Sequence, residues 1–419
     1  MTQLAQARMP TKRVEEYRFT DLAPLVTAKP VAADAAAADA IDATPWTLAA
    51  ADSSRVVLVD GVYRADKSNL EGVSGSGVEV GMVSEGAAAA DNDNDALGAQ
   101  TASRGGVFAG LNSVMASDAV VINVPAGVKL ESPVHIVQLS TASGDADGLT
   151  TSAPRVLIVV GEGAECAVVE EFAFAADEGN DDDDAAYWQN GVCEMVLEKN
   201  AKVNHTMIQA QSRKAIHTRT TYLTQAEESH YALAEINLGG ELGRHDLGIE
   251  QLGPRTNTEL SCFNLAGAGQ CLDLHSSVLL NHEEGKTDQV HKCIVSAASG
   301  RGVFDGNVQV NKLAQRTDAG QISRNLLLVP KATVNVKPNL QIVADDVVCT
   351  HGCTVSDLEE EELFYIQSRG ISPAVARSLL VAGFGLEIVS KVHDDKDLKE
   401  RISTLIREAL DKEDVVLAV

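Results

Sequence analysis

The chain has 419 residues, with 34 Lys and Arg against 60 Asp and Glu and a formal net charge of −26. That charge leaves no electrostatic footprint for nucleic acid or an anionic membrane, and no run of about 18 apolar residues is present to span a bilayer. Apolar residues make up 45% and aromatic residues only 4%, so the core must come from Val, Leu, Ile and Ala; seven cysteines do not make a disulfide framework and fit a reducing compartment.

Met1 to Pro10 lacks the apolar stretch of a secretory signal, so none is expected. An amphipathic helix is predicted around Lys12 to Leu25, charged at Lys12, Arg13, Glu15, Glu16 and Arg18 and apolar at Val14, Tyr17 and Leu22. Residues 31–51, rich in Ala and Asp, read as a linker or a surface helix. Arg55 to Tyr63 (RVVLVDGVY) reads as a strand ending in an Asp60–Gly61 turn. Residues 85–103 read as a disordered loop. Within it Asp91, Asp93 and Asp95 mimic a calcium loop, but Ala96 and Ala102 stand where the turn Gly and the bidentate Glu are needed, so no calcium site is expected.

From Val107 short Val/Ile/Leu runs recur between turns. AVVINVPAGVKLESPVHIVQL (119–139), RVLIVVGEGAECAVVEEF (155–172) and EMVLEKNAKVNHTMIQAQ (194–211) each read strand–turn–strand, with turns at Gly127, Gly163 and Asn200 spaced 36 and 37 residues apart. The second interval contains an acidic insert, Asp177 to Asp184. Further runs continue to Ala332–Val336. Many strands, few aromatics and no long helical pattern suggest a β-solenoid or a β-sandwich. Continuity over some 240 residues favours the solenoid, because a sandwich core stops growing sooner. No hexapeptide repeat marks a left-handed acyltransferase helix.

After Thr354 the period turns helical. Ser356 and Glu359 have capping-box spacing, and Gly370 is a stop. Ser372–Pro373 supplies an N-cap and a Pro at the first helical position. A last helix carries Leu398, Ile402, Leu405, Ile406 and Leu410 on one face. The expected organisation is an N-terminal helical and mixed region (1–104), a β core (105–354) and a C-terminal helical domain (355–419).

The most informative chemistry is Cys349-Thr350-His351-Gly352-Cys353, after the strand-like QIVADDVV. On a strand, alternate residues share a face, so Cys349, His351 and Cys353 face one way, joined by Asp345 if the strand is unbroken. Thiolate and imidazole suit iron or zinc. The bland alternative is a small-residue turn whose thiols act as small hydrophobes. Neighbouring strand residues do not close a tetrahedral site unaided, so a further ligand must come from elsewhere. The remaining histidines are scattered; Asp273-Leu274-His275 and His291-Lys292-Cys293 form a polar cluster only if neighbouring coils align them. No GxxxxGK[ST], GxSxG or HExxH occurs, so ATP hydrolysis, serine hydrolysis and zincin chemistry find no motif.

The stretch AQRTDAGQISRNLLLVPKATVNVKPNLQIVADDVVCTHGCTVSDLEEEELFYIQSRGI (314–371) resembles the SufB/SufD family, the scaffolds of the SUF iron–sulfur cluster assembly system. GRGVFDGNVQV (300–310), GQCLDLHSSVLL (269–280) and EEYRFTDL (15–22) extend the resemblance over most of the chain. Cys349-Thr350-His351-Gly352-Cys353-Thr354 is similar to the Cys-Ser-His-Gly-Ala-Thr of SufD-like members, departing at Thr350 and Cys353. The resemblance implies a mainly β fold, a right-handed parallel β-helix flanked by N- and C-terminal helical regions. It implies a non-catalytic scaffold that pairs with SufB through the β-helix ends and docks the SufC ATPase on its C-terminal helices, around Leu363, Phe364, Ile366, Leu379, Leu380 and Phe384. His351 matches the family histidine facing a transient cluster or iron shared with SufB, Cys349 a neighbouring cysteine, and Cys353 is either a further ligand or a space-filler. No stably bound cofactor is implied for the isolated chain. A homodimer through the same edge is implied when SufB is absent. The location implied is the plastid stroma, after loss of a transit peptide, or alternatively the bacterial cytoplasm. Two rival readings stand beside this one: a purely structural SufC-binding partner, in which His351 is dispensable, and a β-helix enzyme acting on polysaccharide.

Overall fold

The computed structural model describes residues 9–85, 96–142, 148–175 and 185–413. The Asp91–Asp95 triplet, the Asp177–Asp184 insert and most of Met1–Pro10 lie outside these residues.

Successive strands alternate between two sheets, so each pair of strands makes one coil of a parallel β-solenoid of about seven turns. One sheet runs from the edge strand Thr333–Ile342 through Arg301–Val310, Cys271–Leu280, Leu242–Gln251, Ile216–Gln225 and Tyr187–Leu197 to Arg155–Val160, Val120–Val124 and Glu79–Met82. The other runs from Val347–Ser356 through Thr317–Leu327, Lys286–Val295, Asn257–Ala266, His230–Asn237, Lys202–Ala210 and Glu165–Phe174 to Val134–Ser140 and Arg55–Val59.

One corner repeats in every coil. Gly127, Gly163, Asn200, Glu228, Arg255, Glu284 and Arg316 all have left-handed backbone, with φ between 57° and 73°. Each donates its N–H to a carbonyl of the next coil, as in Asn200 to Glu227 at 2.9 Å and Glu284 to Gln315 at 2.9 Å. A non-glycine residue is strained in this conformation by about 1–2 kcal/mol. The inter-coil bond offsets that strain and explains why Glu and Arg can stand where the earlier corners use Gly and Asn.

Both outer sheet faces are covered, so the strands read as near-continuous apolar runs. On one, Tyr17, Leu22 and Leu25 with Phe108 and Leu111 pack on Trp188, Ile216 and Leu242. On the other, Val381, Ile388, Ile402, Ile406 and Leu410 pack on Ile208, Ile236, Phe263, Leu265 and Ile294. The expected helix at Lys12–Leu25 is a strap instead, with a 3-10 turn at Glu15–Tyr17 and a short helix at Ala23–Thr27. Its side chains explain the difference. Tyr17 lies 4.3 Å from the Arg244 guanidinium, and Thr20 and the Glu16 carbonyl bond into the Arg244–Asp273 pair, so tertiary contacts outweigh helix propensity. Residues 31–51 are folded, with a helix at Ala35–Ala40 and Ile41, Leu48 and Ala51 buried. Ala99–Arg104, read as part of a disordered loop, is helical, and so is Val107–Met115.

The two ends of the solenoid differ. At the N-terminal end antiparallel strands stop both sheets: Val62–Tyr63 on Arg55–Val59, and Glu79–Met82 on Val120–Val124. At the other end, among the described residues, Thr333–Ile342 and Val347–Ser356 have no outer neighbour. Ile342, Val343, Val348 and Val355 are 45–64% exposed there. An uncapped apolar sheet edge is a template for pairing.

Past Ser356 the chain turns into helices Glu360–Gln367, Pro373–Leu386 and Lys396–Lys412. The first has Glu359 at its N-cap with no side-chain bond, so the predicted Ser356–Glu359 capping box does not form; Ser356 is still in the strand. Gly370 is left-handed as a stop requires, and the Ser372 side chain caps the Val375 N–H with Pro373 next to it. With the following 3-10 turn, Pro373–Lys391 is long and apolar enough to cross a bilayer by length and composition alone. Here Gly385 on this helix closes on Phe263 of the solenoid, where an added Cβ would lie 3.0 Å from the ring.

Candidate functional site

The uncapped end carries the Cys349–Cys353 motif. In parallel register Cys349 stands beside Ala319, His351 beside Gln321 and Cys353 beside Ser323. All three inner neighbours are at most 1% exposed and point into the solenoid. Cys349, His351 and Cys353 therefore line the interior face of the last coil, which no further coil covers among the described residues. Cys349 is half-buried against the core; His351 and Cys353 are exposed. The alternation predicted from the sequence is present. Asp345 does not join it: the strand begins at Val347, and Asp345 sits in the bend before it, where the Asp346 carbonyl accepts the Arg316 corner N–H at 2.6 Å.

Spacing sets what this row can hold. At about 3.3 Å per residue, Cys349 and Cys353 are about 13 Å apart along the strand, too far to share one ion. No group of three His, Cys, Asp or Glu among the described residues is placed to hold a metal. Burial raises the thiol pKa of both cysteines, and Asp318 adds to the effect at Cys349. Both are thiols at neutral pH and need an electropositive partner or a metal to become ligands.

The helical candidates split by exposure. Phe364 is 74% exposed and Leu379 52% exposed. Leu363, Ile366, Leu380 and Phe384 are half-buried, and the Phe384 ring carries Lys292 Nζ at 3.9 Å from its centroid. Lys292 comes from the outer sheet face and pairs with Glu387, so Phe384 is committed to holding the helices on the solenoid.

The two His-containing tripeptides do not converge. His275 bonds Asp273 at 2.9 Å on an outer sheet face, beneath the N-terminal strap. His291 points inward, 3.1 Å from Ser323 Oγ and stacked at 4.5 Å on Phe304. Further in, Glu170 accepts from Gln138 at 2.9 Å and pairs with His205 at 3.1 Å and with Arg219. Burial alone would raise the Glu170 carboxyl, but Arg219 and His205 outweigh it and bring it to about 2. Sequence reasoning missed this interior polar column, and with it Gln289, Gln321 and Ser323. The coils differ in length, so no fixed period aligns these positions in the sequence.

The described residues thus form a parallel β-solenoid with an open edge, a thiol–imidazole–thiol row on that edge and a helical module beside it. Residues 140–384 match the model of the SUF system FeS cluster assembly SufBD core domain, and residues 1–136 match the SufBD protein N-terminal region. The chain belongs to the SufBD family of the SUF iron–sulfur cluster assembly system. It is 48% identical to Protein ABCI7, chloroplastic, of Arabidopsis thaliana over 68% of this chain and 60% of that one. It is 36% identical to an iron–sulfur cluster assembly SufBD family protein of Synechocystis over 93% of this chain and 85% of that one. It is 28% identical to iron–sulfur cluster assembly protein SufD of Escherichia coli over 98% of this chain and 91% of that one.

Proposed function

We propose that this chain is a non-catalytic, SufD-like scaffold subunit that pairs with SufB and docks the SufC ATPase while iron and sulfide are assembled into a cluster. The observation that carries the reading is the uncapped coil: an unpaired edge strand whose interior face presents Cys349, His351 and Cys353 to whatever chain covers it. In this reading the covering chain supplies the missing ligands, His351 and Cys349 face the nascent cluster, and Cys353 is an additional thiol beside them. Iron and sulfide are cargo, with no resident cofactor. SufC docks on the helices after Ser356, through Leu363, Phe364, Ile366, Leu379 and Leu380, with Phe384 holding the module to the solenoid. The functional division is then 1–104 as covering region, 105–354 as β core and 355–419 as docking module. The chloroplastic name of the Arabidopsis relative supports a plastid location.

The mechanism follows from the junction. Val347–Ser356 runs into Glu360–Gln367 with only Asp357, Leu358 and Glu359 between them. Force applied to the helices by an ATP-driven partner reaches the edge strand within one short link. The stiff solenoid behind it does not absorb the displacement, so the edge interface opens and admits iron and sulfide.

The test is co-expression with SufB and SufC, wild type and His351→Ala, followed by anaerobic reconstitution with iron and sulfide. The expected outcome is an intact complex that loses the visible absorption of a bound cluster in the variant. A variant complex with unchanged cluster would leave the chain as a purely mechanical, SufC-binding scaffold.

A further inference from the structure

Among the buried acceptors without a hydrogen-bond partner, Gln321 Oε1 is the one that lies one rung behind the candidate histidine. Gln321 is 0% exposed, and its Oε1 accepts no hydrogen bond. The other end of the same amide is committed. Gln321 Nε2 donates to Gln289 Oε1 at 2.9 Å, and Gln289 Nε2 donates to Ser276 Oγ at 2.6 Å. This ladder crosses the interior from one sheet to the other and fixes which way the Gln321 amide points. Space for it is made by Gly306 on the facing sheet, where an added Cβ would lie 2.2 Å from Gln321 Nε2. Gln321 is in register with His351, and among the described residues the His351 imidazole has no hydrogen-bond partner. The two side chains do not bond in the structure, but adjacent strands are about 4.8 Å apart, so a turn of the exposed His351 side chain brings its imidazole within reach of the Gln321 amide in the same column.

We infer that Gln321 is the positioning residue of the site: its Oε1 accepts the imidazole N–H of His351, holds the ring in one tautomer and leaves the second nitrogen bare for iron. Metal-binding histidines characteristically donate their other N–H to a fixed carbonyl, which sets the ring orientation. A buried acceptor without a partner is costly, so the contact also satisfies Gln321. Leucine in its place would fill the space and lose the acceptor; glutamate would keep one. The inference rests on the reading of His351 as a cluster-facing ligand and adds the group that aims it.

The experiment is nitrogen NMR on the full-length chain labelled with ¹⁵N-histidine, His351 being assigned by its loss in His351→Ala. The expected wild-type result is one His351 tautomer in about tenfold excess. Gln321→Leu is expected to return the ratio to that of free histidine in the same buffer, and Gln321→Glu to preserve a single tautomer. Should Gln321→Leu fail to fold, Gly306→Ala displaces the same amide and is expected to give the same collapse. A wild-type His351 with the free-histidine ratio, or a ratio unmoved in both Gln321→Leu and Gly306→Ala, would overturn the inference. Ferrous iron titration of the SufB-paired complex gives the second readout, with a loss of about 10- to 100-fold in affinity expected for Gln321→Leu. Iron binding unaffected by His351→Ala, alongside the expected tautomer shifts, would remove the ligand reading while leaving Gln321 as the residue that orients the ring.

Discussion

Arg401, on the last helix, places Nη2 2.7 Å from Oε1 of Glu171 on the outer face of the solenoid. The same carboxylate meets His135 Nε2 at 3.2 Å through its other oxygen and is 4% exposed. One buried acid thus ties the terminal helix to the β body. Glu171→Ala is expected to cost about 3 kcal/mol, because it strands a guanidinium in a largely dry site. Urea unfolding measures the loss, and limited proteolysis should show faster cleavage within residues 360–413.

Acid should weaken the fold through its buried imidazoles. Burial brings His291 down to about 4 from an ordinary 6.5, and burial plus the Arg219 charge bring His217 down to about 3. The unfolded chain takes up these protons near pH 6.5 and the folded chain does not. The stabilisation is therefore complete above pH 6.5 and is lost as pH falls toward 4 and then 3. Two such groups give a slope of at most about 2.7 kcal/mol per pH unit. Unfolding free energies at pH 7, 5.5 and 4.5 should show this fall, with a shallower slope in His291→Gln.

The uncapped edge is separable from the fold. Val348 is 64% exposed and in register with Asp318. Val348→Lys should leave stability within about 0.5 kcal/mol while placing a charge where a partner strand must lie. Size-exclusion chromatography with light scattering should show lost pairing, with SufB or with a second copy of the chain.

Docking by the helical module predicts the opposite pattern. Phe364→Asp and Leu379→Asp change side chains that are mostly in solvent, so the melting temperature should stay within about 2 °C. Capture of SufC by the tagged chain should fall at least tenfold.

Coil stacking tolerates no side chain at Gly239. A Cβ there would lie 2.2 Å from the Gln211 carbonyl oxygen and 2.5 Å from its nitrogen, both backbone atoms. Gly239→Ala should cost about 3 kcal/mol. Gly383 lies on a helix with nothing within 4 Å of an added Cβ, so Gly383→Ala should stabilise by about 1 kcal/mol. Thermal melts of the pair separate the two cases.

Much of the architecture was written in local pattern. The Gly127, Gly163 and Asn200 turns announced a repeating corner, the alternating Cys349, His351 and Cys353 a shared strand face, and Leu398, Ile402, Ile406 and Leu410 a buried helix stripe. These signals are legible because strand alternation, helix periodicity and left-handed turns are properties of neighbouring residues. Other local readings failed where distant groups competed: Arg244 and Asp273 hold the Tyr17–Thr20 strap out of a helix, and Val347 starts its strand too late for Asp345 to join the row. Only the tertiary structure put Gln321 behind His351, Glu171 under Arg401, and an uncapped coil at one end of the solenoid. Register between coils of unequal length depends on inter-strand hydrogen bonds, and no spacing within the sequence records which residues those bonds bring side by side.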